Sequence, residues 1–274
     1  MIINYDSPGQ LCNRIWSLVP SIAYGLKYKE KVLVINMDGY TEPFDNLNKN
    51  RLVRFASRKL LKRTLMSFKA RGYIQNGRSN IFRRLFGFNF VEGWSNRLGN
   101  AEMVEEQSTE IRNIFSFNTN IANAVDSEFA VLPQSVIVVG VHIRRGDYKE
   151  WLGGIYYYTD EEYVCILRNI KEQFESRGQQ VKFLLCSNEK INLENYNSLE
   201  CFTLSCSSGS HDLYALSKCD YIIGPPSSYS QWASFWGRIP VKFIKSAKEI
   251  ITLSDFSEII SFNRFSNGSI LNID

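Results

Sequence analysis

Apolar residues recur along this chain with two spacings. Short β-branched runs, IINY near the start, VLVIN at 32–36, IVVGVHI at 137–143, VKFLLCS at 181–187, CFTL at 201–204, DYIIG at 220–224 and VKFI at 241–244, have the length and composition of buried strands. Between them the apolar positions fall at helical spacing, which predicts helices from about Cys12 to Lys27, near 160–177, near 211–218 and from about Ser228 onward. A helix with Leu61, Leu65 and Phe68 as its apolar stripe is predicted after Asn46, and another over 100–116 with Met103, Val104, Ile111, Ile114 and Phe115. Strands that alternate with helices form parallel sheets. The alternation runs twice around an irregular middle. It therefore predicts an α/β protein of two Rossmann-like domains, 1–130 and 131–274, joined near residues 118–135.

Size and composition suit that division, since 274 residues with 44% hydrophobic content can bury two medium cores. The cysteines form no C-x-x-C pair, the two histidines stand far apart, and no D-x-D occurs, so free thiols and no metal site are expected. The opening MIINYDSPGQ has neither the basic start nor the apolar stretch of a signal peptide, which makes a cytoplasmic protein the expectation. The net charge of +4 is mild but uneven: between Arg51 and Val91 there are eleven Lys and Arg and no acid. Three readings of that stretch stand side by side. It is a solvated face, a site for an acidic or diphosphate-linked acceptor, or a surface resting peripherally on an anionic inner membrane. Nucleic acid is not an expected partner, because no reading motif accompanies the charge and Phe55, Phe68, Tyr73 and Phe82 read as core.

Candidate chemistry gathers at the ends of the predicted strands, where open α/β sheets bind ligands. In VHIRRGDY, Arg144 and Arg145 offer forked donors and permanent charge suited to a diphosphate, with Asp147 within loop reach to brace one of them. The plain alternative is a surface loop with a local ion pair. His142 lies in this motif and His211 in SHDLYALSKCDYIIG, where Ser210 or Asp212 would cap a helix. A carboxylate at Asp212 also matches the paired N–H edge of a guanine. In GPPSSYSQWASFWG, hydroxyls crowd a helix start, where Ser227 or Ser228 would cap the helix or meet an anion with the same geometry. Near the N-terminus, SPGQLCNRIW puts Gly9 in a turn, with Asn13 and Arg14 opening a helix as an ordinary cap and surface charge or as side chains facing a ligand.

Taken together and in order, VHIRRGDY, HDLYALSKCDYIIG and SSYSQWASFWG, preceded by GWSNRLGNAEMVEEQSTEIRNIF, resemble the α-1,2-fucosyltransferases of glycosyltransferase family 11 and the wider superfamily with an H-x-R-R-x-D motif. The resemblance implies a GT-B-like fold with a cleft between its domains, an acceptor-side N-terminal domain and a C-terminal domain that binds GDP-fucose. It implies an inverting, metal-independent transfer of L-fucose to a glycan hydroxyl, with no cofactor, and a free oligosaccharide or lipid-linked glycan as acceptor. By motif match Arg144 would bind phosphate, His142 and Asp212 the guanosine, and Ser228, Ser230 and Gln231 would lie on the diphosphate side. Gly9, Asn13 and Arg14 correspond to the loop facing the transferred sugar and acceptor. Arg144, Arg145 and Asp147 are the catalytic candidates, with Asp147 or Glu150 nearest to take the acceptor proton. Cys12 and Arg14 depart from the family's G-L-G-N-Q loop, and Gln231 resembles the α-1,6 and protein-directed branches. An α-1,2 link to galactose is therefore the first expectation. An α-1,6 or other linkage, or a non-catalytic nucleotide- or carbohydrate-binding protein, is the alternative.

Overall fold

The computed structural model of the protein describes residues 1–35, 37–74, 84–95 and 98–273. Arg78, Phe82 and Arg83 of the basic stretch, and Asn96 and Arg97 of the tryptophan segment, lie outside the described residues. The chain divides into two compact units: Met1–Asn118 with Ile260–Phe262, and Thr119–Ile259 with Asn263–Asp274.

In the first unit, β1 (Ile2–Asn4), β2 (Val32–Val34), β3 (Val53–Phe55) and β4 (Asn89–Val91) form a parallel sheet in the order β3-β2-β1-β4. Helix α1 (Leu11–Lys27) returns the chain from β1 to β2 and buries Ile15, Trp16, Leu18, Val19 and Ile22. Helix α2 (Lys59–Ala70) lays Leu61, Leu65 and Phe68 against Ile3, Tyr5 and Phe90, as its predicted stripe requires. Strands β3 and β4 are additions to the sequence reading. Each has only three residues, and β3 places exposed Arg54 between buried Val53 and Phe55 inside the basic stretch. The single helix expected over 100–116 is two, α3 (Ala101–Glu106) and α4 (Ser108–Ile114), because Gln107 leaves helical dihedrals at φ −97° and ψ 7°. Phe262 completes this unit's aromatic packing, with ring centroids 5.7 Å from Trp16 and 4.7 Å from Trp94.

The second unit opens with α5 (Thr119–Phe129), a helix where the sequence reading placed a join. Its narrow stripe of Ile121 and Val125 is buried, Asp126 accepts the Tyr214 hydroxyl at 3.2 Å, and Glu128 accepts the Ser205 N–H at 3.0 Å. These contacts attach α5 to the second unit, so the chain divides at Asn118–Thr119, ahead of the expected 130/131 boundary. Strands β5 (Ile137–Ile143), β6 (Val181–Ser187), β7 (Cys201–Phe202), β8 (Tyr221–Gly224) and β9 (Val241–Phe243) form a parallel sheet in the order β7-β6-β5-β8-β9. A central parallel strand is covered on both faces, which is why β5 reads as an unbroken apolar run. Helix α6 (Asp160–Glu175) starts on a capping box of Thr159 and Glu162 and buries Tyr163, Ile166, Leu167, Ile170 and Phe174. Helices α7 (Gly209–Leu216) and α8 (Ser228–Gly237) precede and follow β8. The chain moves from β5 to β6 on one side and later to β8 on the other. The strand order therefore reverses between β5 and β8, and their carboxyl ends frame the crevice where such sheets bind ligands.

Candidate functional site

The loop after β5 sends its two arginines to different partners. Arg145 donates from Nε to the Tyr158 carbonyl at 3.2 Å and from its guanidinium to Asp160, the first residue of α6. Asn188, at the end of β6, accepts the Arg145 N–H at 3.0 Å and donates back to its carbonyl at 3.3 Å. Burial alone would raise the Asp160 carboxyl, but hydrogen bonds from Tyr196, Arg145 and Asn195 outweigh it and hold the group below the usual carboxylate range. The expectation that Asp147 braces Arg145 is thus corrected: Asp160 does so, and Asp147 pairs with Arg144 at 2.8 Å. That second pair is loose, since the Asp147 side chain is 63% exposed and Arg144 24%, and exposed pairs hold weakly.

Tyr148 ties this loop to the one after β8. Its hydroxyl donates to the Pro226 carbonyl at 2.5 Å and its ring lies 5.5 Å from the Arg144 guanidinium. Burial pushes the Tyr148 phenol up to about 12. A Cβ on Gly224 would fall 2.4 Å from the His142 carbonyl, so only glycine lets β8 end this close to β5. His142 is buried, its Nδ1 shares a 2.6 Å hydrogen bond with the Ser230 hydroxyl, and its ring stands 4.9 Å from Tyr229. Burial, and then the nearby Arg144 charge, push the imidazole down to about 3, so it is neutral. Ser230 and Gln231 have no exposed surface. The Gln231 amide donates to the Asn263 side chain at 2.9 Å and accepts the Asn263 N–H at 2.7 Å. In this structure His142, Ser230 and Gln231 fasten α8 to its surroundings; they do not face solvent.

Ser227 caps α8, accepting the Tyr229 N–H at 3.2 Å, and Ser228 occupies the first helical position. Helix α7 is capped by Ser208, not by Ser210 or Asp212 as expected, and the same hydroxyl lies 2.7 Å from His211 Nδ1. This leaves Asp212 for other work. Its carboxylate is 6% exposed, one oxygen accepts the Ser207 hydroxyl at 2.9 Å, and burial pushes the group up to about 6. Among the described residues no donor reaches its second oxygen. The Tyr229 hydroxyl donates to the Gly209 carbonyl at 2.7 Å, linking the starts of α8 and α7.

In the first unit, the loop after β1 turns on Gly9 at φ +58°, where an added Cβ would sit 2.5 Å from Asn13 Nδ2. Arg14 donates from Nε to the Gly9 carbonyl at 3.1 Å and stands 4.4 Å over the Tyr40 ring. Beyond the ends of β2 and β3 a cavity of about 460 Å³ is lined by Met37, Asp38, Thr41, Phe44, Asp45 and Asn48, among others. Asp160, Asn188, Tyr148 and Tyr40 join the residues the sequence points to. Only Tyr148 lay inside a quoted motif; the others are brought in by folding.

The family model described as Glycosyl transferase family 11 matches residues 14–249, which include Arg14 and every site residue of the second unit. Among solved structures the chain resembles fucosyltransferase NodZ from Bradyrhizobium, at TM-score 0.58 and 15% identity over 93% of this chain and 96% of that one. It also resembles POFUT1 in complex with GDP-fucose, at TM-score 0.54 and 11% identity over 89% and 97%. A mutant of Arabidopsis thaliana FUT1 in complex with GDP aligns at TM-score 0.61 and 10% identity over 99% and 76%. At such identities the likeness is one of fold, and the fold is GT-B-like. No curated protein sequence matches the chain.

Proposed function

The chain belongs to glycosyltransferase family 11, and from that premise we propose that it transfers L-fucose from GDP-fucose to a glycan hydroxyl with inversion and without a divalent cation. The observation that carries the reading is the division of labour between adjacent arginines: Arg145 is committed to α6, while Arg144 lies near the Tyr148 ring and its ion pair is with an exposed carboxylate. The NodZ and POFUT1 structures with GDP-fucose support the choice of donor.

Departure of GDP puts negative charge on the diphosphate while positive charge grows on the sugar ring. The Arg144 fork and the N-terminal N–H groups of α8 absorb the first of these. Donors placed where charge develops are typically worth about 3 to 4 kcal/mol each. Tyr148 and Arg145 act as positioning residues that keep the Arg144 loop against the start of α8. When the diphosphate takes Arg144, Asp147 is released beside the reacting centre as the carboxylate able to accept the acceptor's proton. The second oxygen of Asp212 and the one bonded to Ser207 together meet the paired N–H edge of guanine. His142, Ser230 and Gln231 set the position of α8, and Ser228 is the α8 candidate that would meet the anion. Because the Gln231 amide is closed on Asn263, its identity does not read the acceptor. The departure at that position therefore lends no weight to α-1,6 linkage, and α-1,2 attachment to galactose in a free or lipid-linked glycan remains the reading. Gly9, Asn13 and Arg14 serve the acceptor side.

Incubation with a panel of nucleotide sugars and galactose-ended oligosaccharides, with and without EDTA, tests this by mass spectrometry and linkage analysis. The expected product gains one deoxyhexose, from GDP-fucose alone and unaffected by chelation. A hexose gain or loss of activity in EDTA overturns the corresponding part. GDP binding without turnover identifies the non-catalytic alternative.

A further inference from the structure

Helix α2 sorts its cations by face. The inward lysines have partners: Lys62 donates to the Ser7 hydroxyl at 2.5 Å and Lys69 pairs with Glu92. Lys59, Arg63, Met66 and Ala70 recur at helical spacing along the opposite, exposed face, with Leu60 beside them. Among the described residues no anion lies in salt-bridge range of Lys59 or Arg63, nor of the flanking Arg58, Arg71 and Arg84. Large apolar side chains stand among these charges: Leu60 is 79% exposed, Met66 40%, Tyr73 63%, Leu85 69% and Phe86 61%. Phe88, just after Phe86, packs in the same cluster as Leu61, Leu65 and Phe68, which keeps both chain segments on one side of the sheet.

A solvated helix face would mix acids with its bases and keep large apolar groups inward. Here the opposite combination recurs on the exposed face of α2 and in the exposed residues that follow it, and isolated exposed apolar residues do not account for it. We propose that this face of α2, with Arg71, Tyr73 and Arg84–Phe86, docks the protein in the headgroup layer of an anionic phospholipid bilayer. The cations meet lipid phosphates and the apolar side chains enter the acyl boundary. A nucleic acid would satisfy the charges but leave the aliphatic groups in water. The contact is peripheral, since among the described residues no helix is long and apolar enough to cross a membrane.

Sedimentation with phosphatidylcholine vesicles, alone or mixed equally with phosphatidylglycerol, tests the proposal on the whole protein. The wild type is expected to pellet with the anionic vesicles only and to be released at about 0.5 M salt. Reversing Lys59→Glu with Arg63→Glu should lower partitioning at least about tenfold. Leu60→Ser with Met66→Ser should weaken vesicle binding while leaving retention on inorganic polyphosphate unchanged. GDP affinity and thermal melting should stay at wild-type values in both variants, which distinguishes this outcome from failure of the catalytic reading or of folding. No pelleting at low salt overturns the proposal. Vesicle binding that ignores the serine substitutions also overturns it and identifies a general polyanion site.

Discussion

The first strand of each unit ends in a loop that carries an arginine, and the two loops are built to different standards. After β5, three anchors converge on Arg145 from α6, from the end of β6 and from the 158 carbonyl, while Tyr148 fixes the same loop to Pro226. After β1, Arg14 reaches the carbonyls of Gly9 and Asp38 and an aromatic face, and the neighbouring Asp38 lines a cavity. The strands differ likewise, seven residues in β5 against three in β1. Electrostatic stabilisation of a fixed leaving group depends on donors that do not reorganise. Recognition of a branched glycan depends on side chains that can adapt. On the proposed reading, the stiff loop serves the constant substrate and the softer loop the variable one.

The sharpest way to break this contrast is Arg144→Ala, expected to lower kcat about 10²- to 10³-fold with melting unchanged. Arg144→Lys should recover little, because the fork is lost, and near-wild-type turnover by the lysine variant would defeat the assignment. Arg145→Met should behave differently, since it leaves Asp160 without its cation in a mostly buried setting. It should cost about 1 to 3 kcal/mol of stability in denaturant titrations and lower kcat through the displaced loop. A third test uses pH. A carboxyl raised from 3.8 to about 6 in the folded protein stabilises it when protonated, in full below 3.8, and loses that contribution as pH rises through 6. The free protein should therefore lose stability between about pH 4 and 7 while GDP affinity rises, because the ligand needs the ionised form. Asp212→Asn should flatten both slopes in calorimetry. The smallest effect is expected at Arg14→Ala: a rise of about tenfold in acceptor KM, corresponding to about 1.4 kcal/mol, with GDP affinity unchanged. A donor-side defect there would erase the distinction between the loops.

The strands of the second sheet were legible because each is a run of apolar residues bounded by polar ones, and α1, α6 and α8 because their stripes are wide. Strands β3 and β4 were not, since an exposed Arg54 splits the apolar pair of the first inside the basic stretch and the second offers only Phe90 and Val91 after a buried Asn89. Helix α5 passed as a join because only Ile121 and Val125 mark its buried side. At the site, the sequence offered the right chemical types in VHIRRGDY. It did not say which arginine is committed to α6. Asp160 lies fifteen positions beyond Arg145 and reaches it only because α6 starts beneath the strand end. The motif match puts Ser230 on the diphosphate side, whereas in the fold its buried hydroxyl bonds His142.

Ile260–Phe262 are grouped with the first unit although the polypeptide on either side belongs to the second. Severing the chain at Asn118 would not yield a self-sufficient piece, because the aromatic partner of Trp16 and Trp94 would be left on the other fragment. Swapping either half with that of a relative must therefore carry this short return passage along, or the recipient will expose the Trp16 indole that the parent keeps covered and leave Trp94 without its stacking partner.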